Sequence, residues 1–192
     1  IGDVAVYVTN FVEMGSRVSS GALDDRIACA AVVEAFRTMQ NVHDVYAVFT
    51  VQEEVGLRGA GAAAYAIEPD LNISLDVTGT GDTPKCGRMS VKLGAGATVK
   101  VMDSSVIVPP VVRAFLAEAA DGKNIRWQPE VLRAGGTDTG AVQRTRGGIL
   151  SGCISIPTRY IHSPVETADM GDYEAAVQLV CAAVAKQELP HR

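Results

Sequence analysis

Residues 1–9 alternate apolar and polar positions and predict a strand. The stretch 10–21 is irregular, with Gly15, Ser16, Ser19, Ser20 and Gly21 as turn material. Asp24-Asp25 then precedes a helical pattern over 26–39, with Ile27, Ala31, Val32, Ala35, Phe36 and Met39 close to one face. The β-branched run 45–51 predicts a strand that delivers two adjacent carboxylates, Glu53 and Glu54, to its end. A small-residue helix is expected over 58–66, and a second apolar run, 71–77, carries Asp76 near its end. Strands are expected at 88–93 and 97–102. A helix follows over 109–120, where Pro109-Pro110 opens the first turn, and Asp121-Gly122 closes it. A strand over 125–132, a glycine-rich turn over 134–140 into a short helix, a strand over 148–156, a loop over 157–166 and a helix over 173–186 complete the chain. Strands alternating with helices predict a layered α/β domain.

Composition narrows the class without naming a function. The chain has 192 residues, enough for one domain with a real core, and its 47% apolar and 20% charged residues are ordinary for a globular protein. A net charge of −5 with no Lys/Arg cluster argues against a nucleic-acid surface. No apolar run reaches the roughly 18 residues of a membrane span, and no signal-peptide pattern is present. The four cysteines, Cys29, Cys86, Cys153 and Cys181, form no CxxC pair and read as reduced thiols of a cytoplasmic protein. Cys29 and Cys181 fall in helical patterns, where cysteine is usually a small buried hydrophobe. The chain opens on Ile1 with strand pattern and no start signal, as a fragment or a piece of a processed protein would.

The candidate chemistry is acidic. Asp24, Glu53, Glu54 and Asp76 each stand at the start or end of a regular element, and His162 lies between the last strand and the last helix. Open α/β sheets bind ligands at the carboxyl ends of their strands. Two carboxylates placed there are costly unless something positive sits beside them, and a metal ion is the obvious candidate. Each residue also has an ordinary explanation: a solvated acidic pair, a helix N-cap for Asp24, a packed or exposed histidine for His162. Together they supply what a two-metal hydrolase needs: carboxylates to bind and bridge the ions, an imidazole, and one free carboxylate to take a proton from water. Carboxylate plus imidazole suits Zn, Co or Mn. His43 and His191 read as solvated. Asp138 is a candidate for lining the pocket, with capping of the helix after Gly136 as its ordinary role. The glycine-rich turn matches neither phosphate-loop pattern. Glycan hydrolysis also uses two carboxylates but leaves the ordered Asp/Glu/Asp/His set unexplained.

The motifs Ala22-Leu23-Asp24-Asp25-Arg26, Thr50-Val51-Gln52-Glu53-Glu54-Val55-Gly56, Leu75-Asp76-Val77, Gly136-Thr137-Asp138 and Pro157-Thr158-Arg159-Tyr160-Ile161-His162-Ser163-Pro164 occur in this order. In this they closely resemble the dinuclear-metal aminopeptidases of the tetrahedral type, the glutamyl and deblocking aminopeptidases, over nearly the whole chain. The resemblance implies a three-layer α/β sandwich, a mixed sheet flanked by helices, incomplete at its start. It implies that Asp24 bridges two divalent ions (Zn, Co or Mn), that Glu54 and His162 complete one site, that Asp76 serves the other, and that Glu53 is the general base. It further implies cytoplasmic enzymes that trim short peptides from the amino end and assemble as dimers and then dodecamers, with no nucleic-acid or membrane partner. Residues 1–20 resemble only the exit of the family's dimerisation domain, and 21–192 the larger part of its catalytic domain. The family's first metal ligand, an upstream histidine in a His-x-Asp motif, has no counterpart before His43, so one metal site is expected to be incomplete; Gly21 also stands where many relatives carry Lys. The alternatives are a related metal-dependent hydrolase of acyl-amino acids or peptides, and a non-catalytic or truncated assembly subunit.

Overall fold

A computed structural model describes residues 1–191. In chain order these form β1 (Val12–Met14), β2 (Arg17–Ser20), α1 (Leu23–Thr38), α2 (Arg58–Ile67), β3 (Leu71–Thr78), β4 (Ala97–Met102), α3 (Pro110–Asp121), β5 (Trp127–Val131), α4 (Asp138–Gln143), β6 (Leu150–Arg159), β7 (Glu166–Asp169) and α5 (Met170–Val184). The strands make one mixed sheet in the order β1-β2-β7-β6-β4-β5, with β3 beside β6.

β6 is the hub. Residues 151–158 are buried without a break, so this run is apolar and small on both faces rather than alternating, as a strand covered on both sides must be. β3 lies parallel to it, from Leu71 opposite Leu150 to Thr78 opposite Pro157. β4 and β7 pair with it antiparallel. At Gly152 the strand passes close to a helix, since a Cβ there would lie 2.7 Å from Cγ1 of Val112 on α3. Ile27, Ala31, Val112, Leu116, Ala176 and Leu179 bring α1, α3 and α5 into one apolar cluster with the sheet. Ala60, Ala64, Val142 and Ile149 join α2 and α4 in a second, smaller one. The result is the expected sheet between two helical layers.

Several elements depart from the sequence pattern. Among the described residues no strand forms over 1–9, 45–51 or 88–93. Period and composition report which segments could pair, but a strand exists only where a neighbour accepts its backbone hydrogen bonds. Conversely, 12–20, which reads as irregular, forms the hairpin β1–β2, with Gly15 at positive φ in the turn. β7, at the end of the expected loop 157–166 and before the expected helix 173–186, is a strand because β2 and β6 both pair with it. α5 starts at Met170, earlier than its apolar pattern, because the Asp169 side chain accepts from Gly171 N. Neither Asp24 nor Asp25 caps α1: both have non-helical backbone angles, and Ala22 occupies the N-cap position without a side-chain bond. Cys29 is exposed rather than buried.

A buried ionic network links the strand ends. Lys100 and Glu130 are fully buried and ion-paired, and Asp103 lies 3.5 Å from the Lys100 ammonium. Thr78 and Thr98 donate to Glu130 at 2.8 and 2.6 Å. Asp103 accepts from the backbone of Ser105 and Val106 and from the Thr137 hydroxyl. Removing one member leaves an uncompensated charge, so Glu130→Ala should cost about 3–5 kcal/mol in urea unfolding. The triple change Lys100→Met/Asp103→Asn/Glu130→Leu, which removes every charge of the network, should recover most of that loss. A single-variant cost below ~1 kcal/mol would mean that the network does not hold the strand ends together.

Candidate active site

The acidic positions converge beyond the carboxyl end of β3, and one residue from β7 organises them. The carboxylate of Glu166, 2% exposed, accepts from Asp24 N at 2.9 Å and from His162 N at 2.8 Å. It thereby joins the start of α1 to the 160–165 loop, where His162 holds a left-handed φ of 61°. His162 Nε2 comes to 3.1 Å from Asp24 Oδ2 and 3.4 Å from Glu54 Oε2.

The Glu pair arrives on a tight turn. Gly56 N and Leu57 N donate to the Glu53 carbonyl at 3.0 and 2.8 Å, and Gly59 N donates to the Val51 carbonyl at 3.0 Å. A Cβ at Gly59 would stand 2.6 Å from that carbonyl oxygen, so glycine is required for α2 to start against the turn. Glu53 is thereby half-buried while Glu54 faces outward.

Two donor groups share one residue. Ligand atoms of Asp24, Glu54 and His162 lie within 4.8 Å of one another, and so do those of Asp24, Asp25 and Asp76. Burial, then the Glu54 carboxylate, pushes Asp24 up to about 6, against the pull of His162. Burial, then Asp138 and Glu54, pushes Glu53 up to about 7. Burial raises Asp76 with Glu53 adding to it, and raises Asp25 with Asp76 adding to it. Asp25 Oδ1 is buried with no hydrogen-bond partner. A buried anionic oxygen without a donor, among carboxylates that oppose one another's ionisation, calls for a cation. The two-oxygen, one-nitrogen set around His162 and the all-oxygen set around Asp76 are both chemically suited to divalent ions.

The structure therefore brings Asp24, Glu53, Glu54, Asp76 and His162 into one locality. Asp138 does not cap α4; Thr137 holds that position, and Asp138 accepts from Thr50 Oγ1 at 2.6 Å, with its other oxygen buried and unpartnered. Two residues escape sequence reasoning. Asp25 had a signal, since two aspartates exceed what a cap needs. Glu166 had none, because its partners lie four and 142 positions away.

The sequence pattern of the family described as M42 glutamyl aminopeptidase matches residues 1–179. The chain belongs to this family. A protein of Acetivibrio thermocellus is 54% identical over 185 residues, covering 96% of this chain and 56% of its own length. The lysyl aminopeptidase of Pyrococcus furiosus is 38% identical over 185 residues, covering 95% of this chain and 53% of its own. Among solved structures, the aminopeptidase APDkam598 of Desulfurococcus kamchatkensis is similar with a TM-score of 0.87 at 39% identity, covering 92% of this chain and 51% of its own. The TET1 peptidase of Pyrococcus horikoshii, which can assemble into a tetrahedron or a large octahedral shell, gives 0.78 at 32% identity, covering 92% of this chain and 53% of its own. The M42 chain thus spans about half the length of the curated relatives it matches.

In this M42 chain Glu166 carries two charge-assisted bonds that set the spacing of Asp24 and His162. Glu166→Ala should lower stability by about 1.5–3 kcal/mol. It should also speed hydrogen exchange at the Asp24 and His162 amides together. Unchanged exchange at either amide would show that another contact holds the two segments in place.

Proposed function

We propose that this M42 chain carries the catalytic centre of a metal-dependent aminopeptidase that releases amino-terminal residues from short peptides. The observation that supports this reading best is the meeting of Asp24, Glu54 and His162, from three separate segments, in a donor group that shares Asp24 with Asp25 and Asp76. In this reading Asp24 is common to both ion sites, Glu54 and His162 complete one, and Asp76 serves the other with Asp25 beside it. Zn, Co and Mn suit the first set. Bound divalent ions would supply Lewis acidity to the scissile carbonyl and to water.

The remaining work falls to the protein's own side chains. Glu53 takes a proton from the attacking water and returns it to the leaving amine. Burial, then Asp138 and Glu54, raises the proton affinity of its carboxyl group, and bound cations would act against that rise. The half-buried carboxylates, Asp138 among them, offer the countercharge that a substrate's free ammonium group needs. Homo-oligomeric assembly in the complete protein, up to a dodecamer, belongs to the same reading; the tetrahedron or octahedral shell of the Pyrococcus horikoshii relative supports large assembly. So is a cytoplasmic setting, supported by four free cysteines. Among the described residues no helix is long and apolar enough to cross a membrane.

Glu53→Gln in the complete enzyme should lower kcat by at least ~10²–10⁴-fold while leaving metal content nearly unchanged. Near-normal turnover would remove Glu53 from proton transfer. Glu54→Ala and His162→Ala should instead weaken divalent-ion binding by at least about 10–100-fold, read by metal analysis after dialysis. Full occupancy in both variants would place the ion elsewhere. Peptides with free amino ends should be cleaved and acylated ones left intact; the reverse preference would point to a hydrolase of acyl-amino acids.

A further inference from the structure

A second tether acts on the His162 loop, at its other end from Glu166. β3 and β6 run parallel as far as Thr78 opposite Pro157. Past that register the two chains part. β3 leaves into residues 79–93, while Thr158 and Arg159 of β6 stand opposite Ala168 and Thr167 of β7. Pro157 has no N–H to give to a ladder. A side-chain fork joins the parted chains. Arg159 Nε donates to Asp82 Oδ1 at 3.1 Å, and Arg159 Nη2 donates to Asp82 Oδ2 at 2.9 Å. The two side chains are only 19 and 22% exposed. A bidentate guanidinium–carboxylate pair fixes direction as well as distance, which a lysine in the same place does not.

Asp82 is a firm anchor. Its Oδ2 also accepts from Leu93 N at 3.0 Å, and Gly81 N donates to the Val91 carbonyl at 2.8 Å. These bonds close 79–93 at its base. A Cβ at Gly81 would run into the Met89 carbonyl oxygen, so glycine lets the two stems meet. Residues 84–88, at the far end of the loop, are all exposed, whereas Asp82 lies in its packed base.

Arg159 is the last residue of β6. The loop that follows holds Tyr160 and His162 at left-handed φ values of 60 and 61°. Residues other than glycine keep such angles only where their surroundings over-determine them. Glu166 fixes the loop toward the start of α1. The fork adds a second direction, because it ties the residue three before His162 to the residue six after Asp76.

Taking Asp24, Glu54 and His162 as the ion-binding group proposed above, we infer that Arg159 and Asp82 are a positioning pair for it. Their fork holds the His162 loop against the chain that leaves Asp76, and so keeps the imidazole within reach of Asp24 and Glu54. Neither residue touches the ion or the substrate in this role. Contacts that orient a ligand from behind are worth about 10–100-fold in metal affinity.

Co²⁺ binding to this chain, followed by isothermal titration and by the visible absorption of the bound ion, tests the pair. Arg159→Lys keeps the charge but loses the fork, and should weaken Co²⁺ binding about tenfold or more. Asp82→Asn should do the same. The double variant should be no weaker than the weaker single one, since both changes remove one contact. Amides of 160–165 should exchange faster with solvent in all three. Arg146→Lys disturbs another multiply bonded arginine, held by Tyr65 and Glu68 four residues before β6 begins. It should leave Co²⁺ affinity unchanged, which tells positioning apart from a general loss of stability. Unchanged affinity in both single variants would overturn the inference. Additive losses in the double variant, or an equal loss in Arg146→Lys, would do so too. If one single variant does not fold, the other decides; if neither folds, the fork serves stability and the positioning role is lost. His162→Ala separates the two readings. If it abolishes Co²⁺ binding while the fork variants do not weaken it, only the positioning role fails. If the unmodified chain binds no Co²⁺, or its binding survives His162→Ala, the ion-binding reading fails and the positioning role with it.

Discussion

Carboxylates crowded around a single imidazole are the constraint to which the rest of this molecule answers. Asp24, Asp25, Glu53, Glu54 and Asp76 come from three stretches of chain, and four of them are pushed up by burial and by one another. Such an arrangement has no stabilising value of its own. Like charges at short range raise the folded state in energy, and Asp25 keeps a buried oxygen without a donor. A cluster of this kind persists only where the scaffold over-determines it, and a divalent cation turns the same repulsion into a ligand field.

That scaffold consists of separate devices acting on separate segments. Glu166 holds the start of α1 and the 160–165 loop through two backbone N–H groups. The turn at 52–57 is held by its own carbonyls and by the close approach at Gly59. The end of β3 is tied into the Lys100–Glu130–Asp103 network through Thr78, and the start of α4 is tied to the same network through Thr137. A fully buried ion network is a poor source of net stability compared with an apolar core. Here it bonds β3, β4, β5 and the start of α4 with directional contacts, while Asp138 on α4 reaches back to Thr50.

Among the described residues the edge of β3 that faces 45–50 has no strand paired with it. The acidic cluster reaches the cavity beside that edge through Asp25, Glu53 and Asp76. The exposed apolar run 45–50 and the half-buried face of β3 border that same cavity.

The sequence by itself determined the layered α/β class, the helices α1 to α5 to within a few residues, the strands β3 to β6, and Asp24, Glu53, Glu54, Asp76 and His162 as candidates for one site, without Asp25 or Glu166. Those are local properties: hydrophobic period, proline and glycine punctuation, and acids set at the ends of apolar runs. The tertiary structure alone decided what depends on a partner. Residues 45–51 have every local property of a strand but lack one along 45–50, because pairing needs a second backbone. Residues 166–169, polar and short, become a buried strand because β2 and β6 flank them. Asp24 and Asp25 look like caps and are not, since Glu166, 142 positions away, binds the Asp24 amide and holds it for another purpose. Distance along the chain carries no record of such contacts, and for that reason Glu166 was invisible in the sequence while the residues it positions were not.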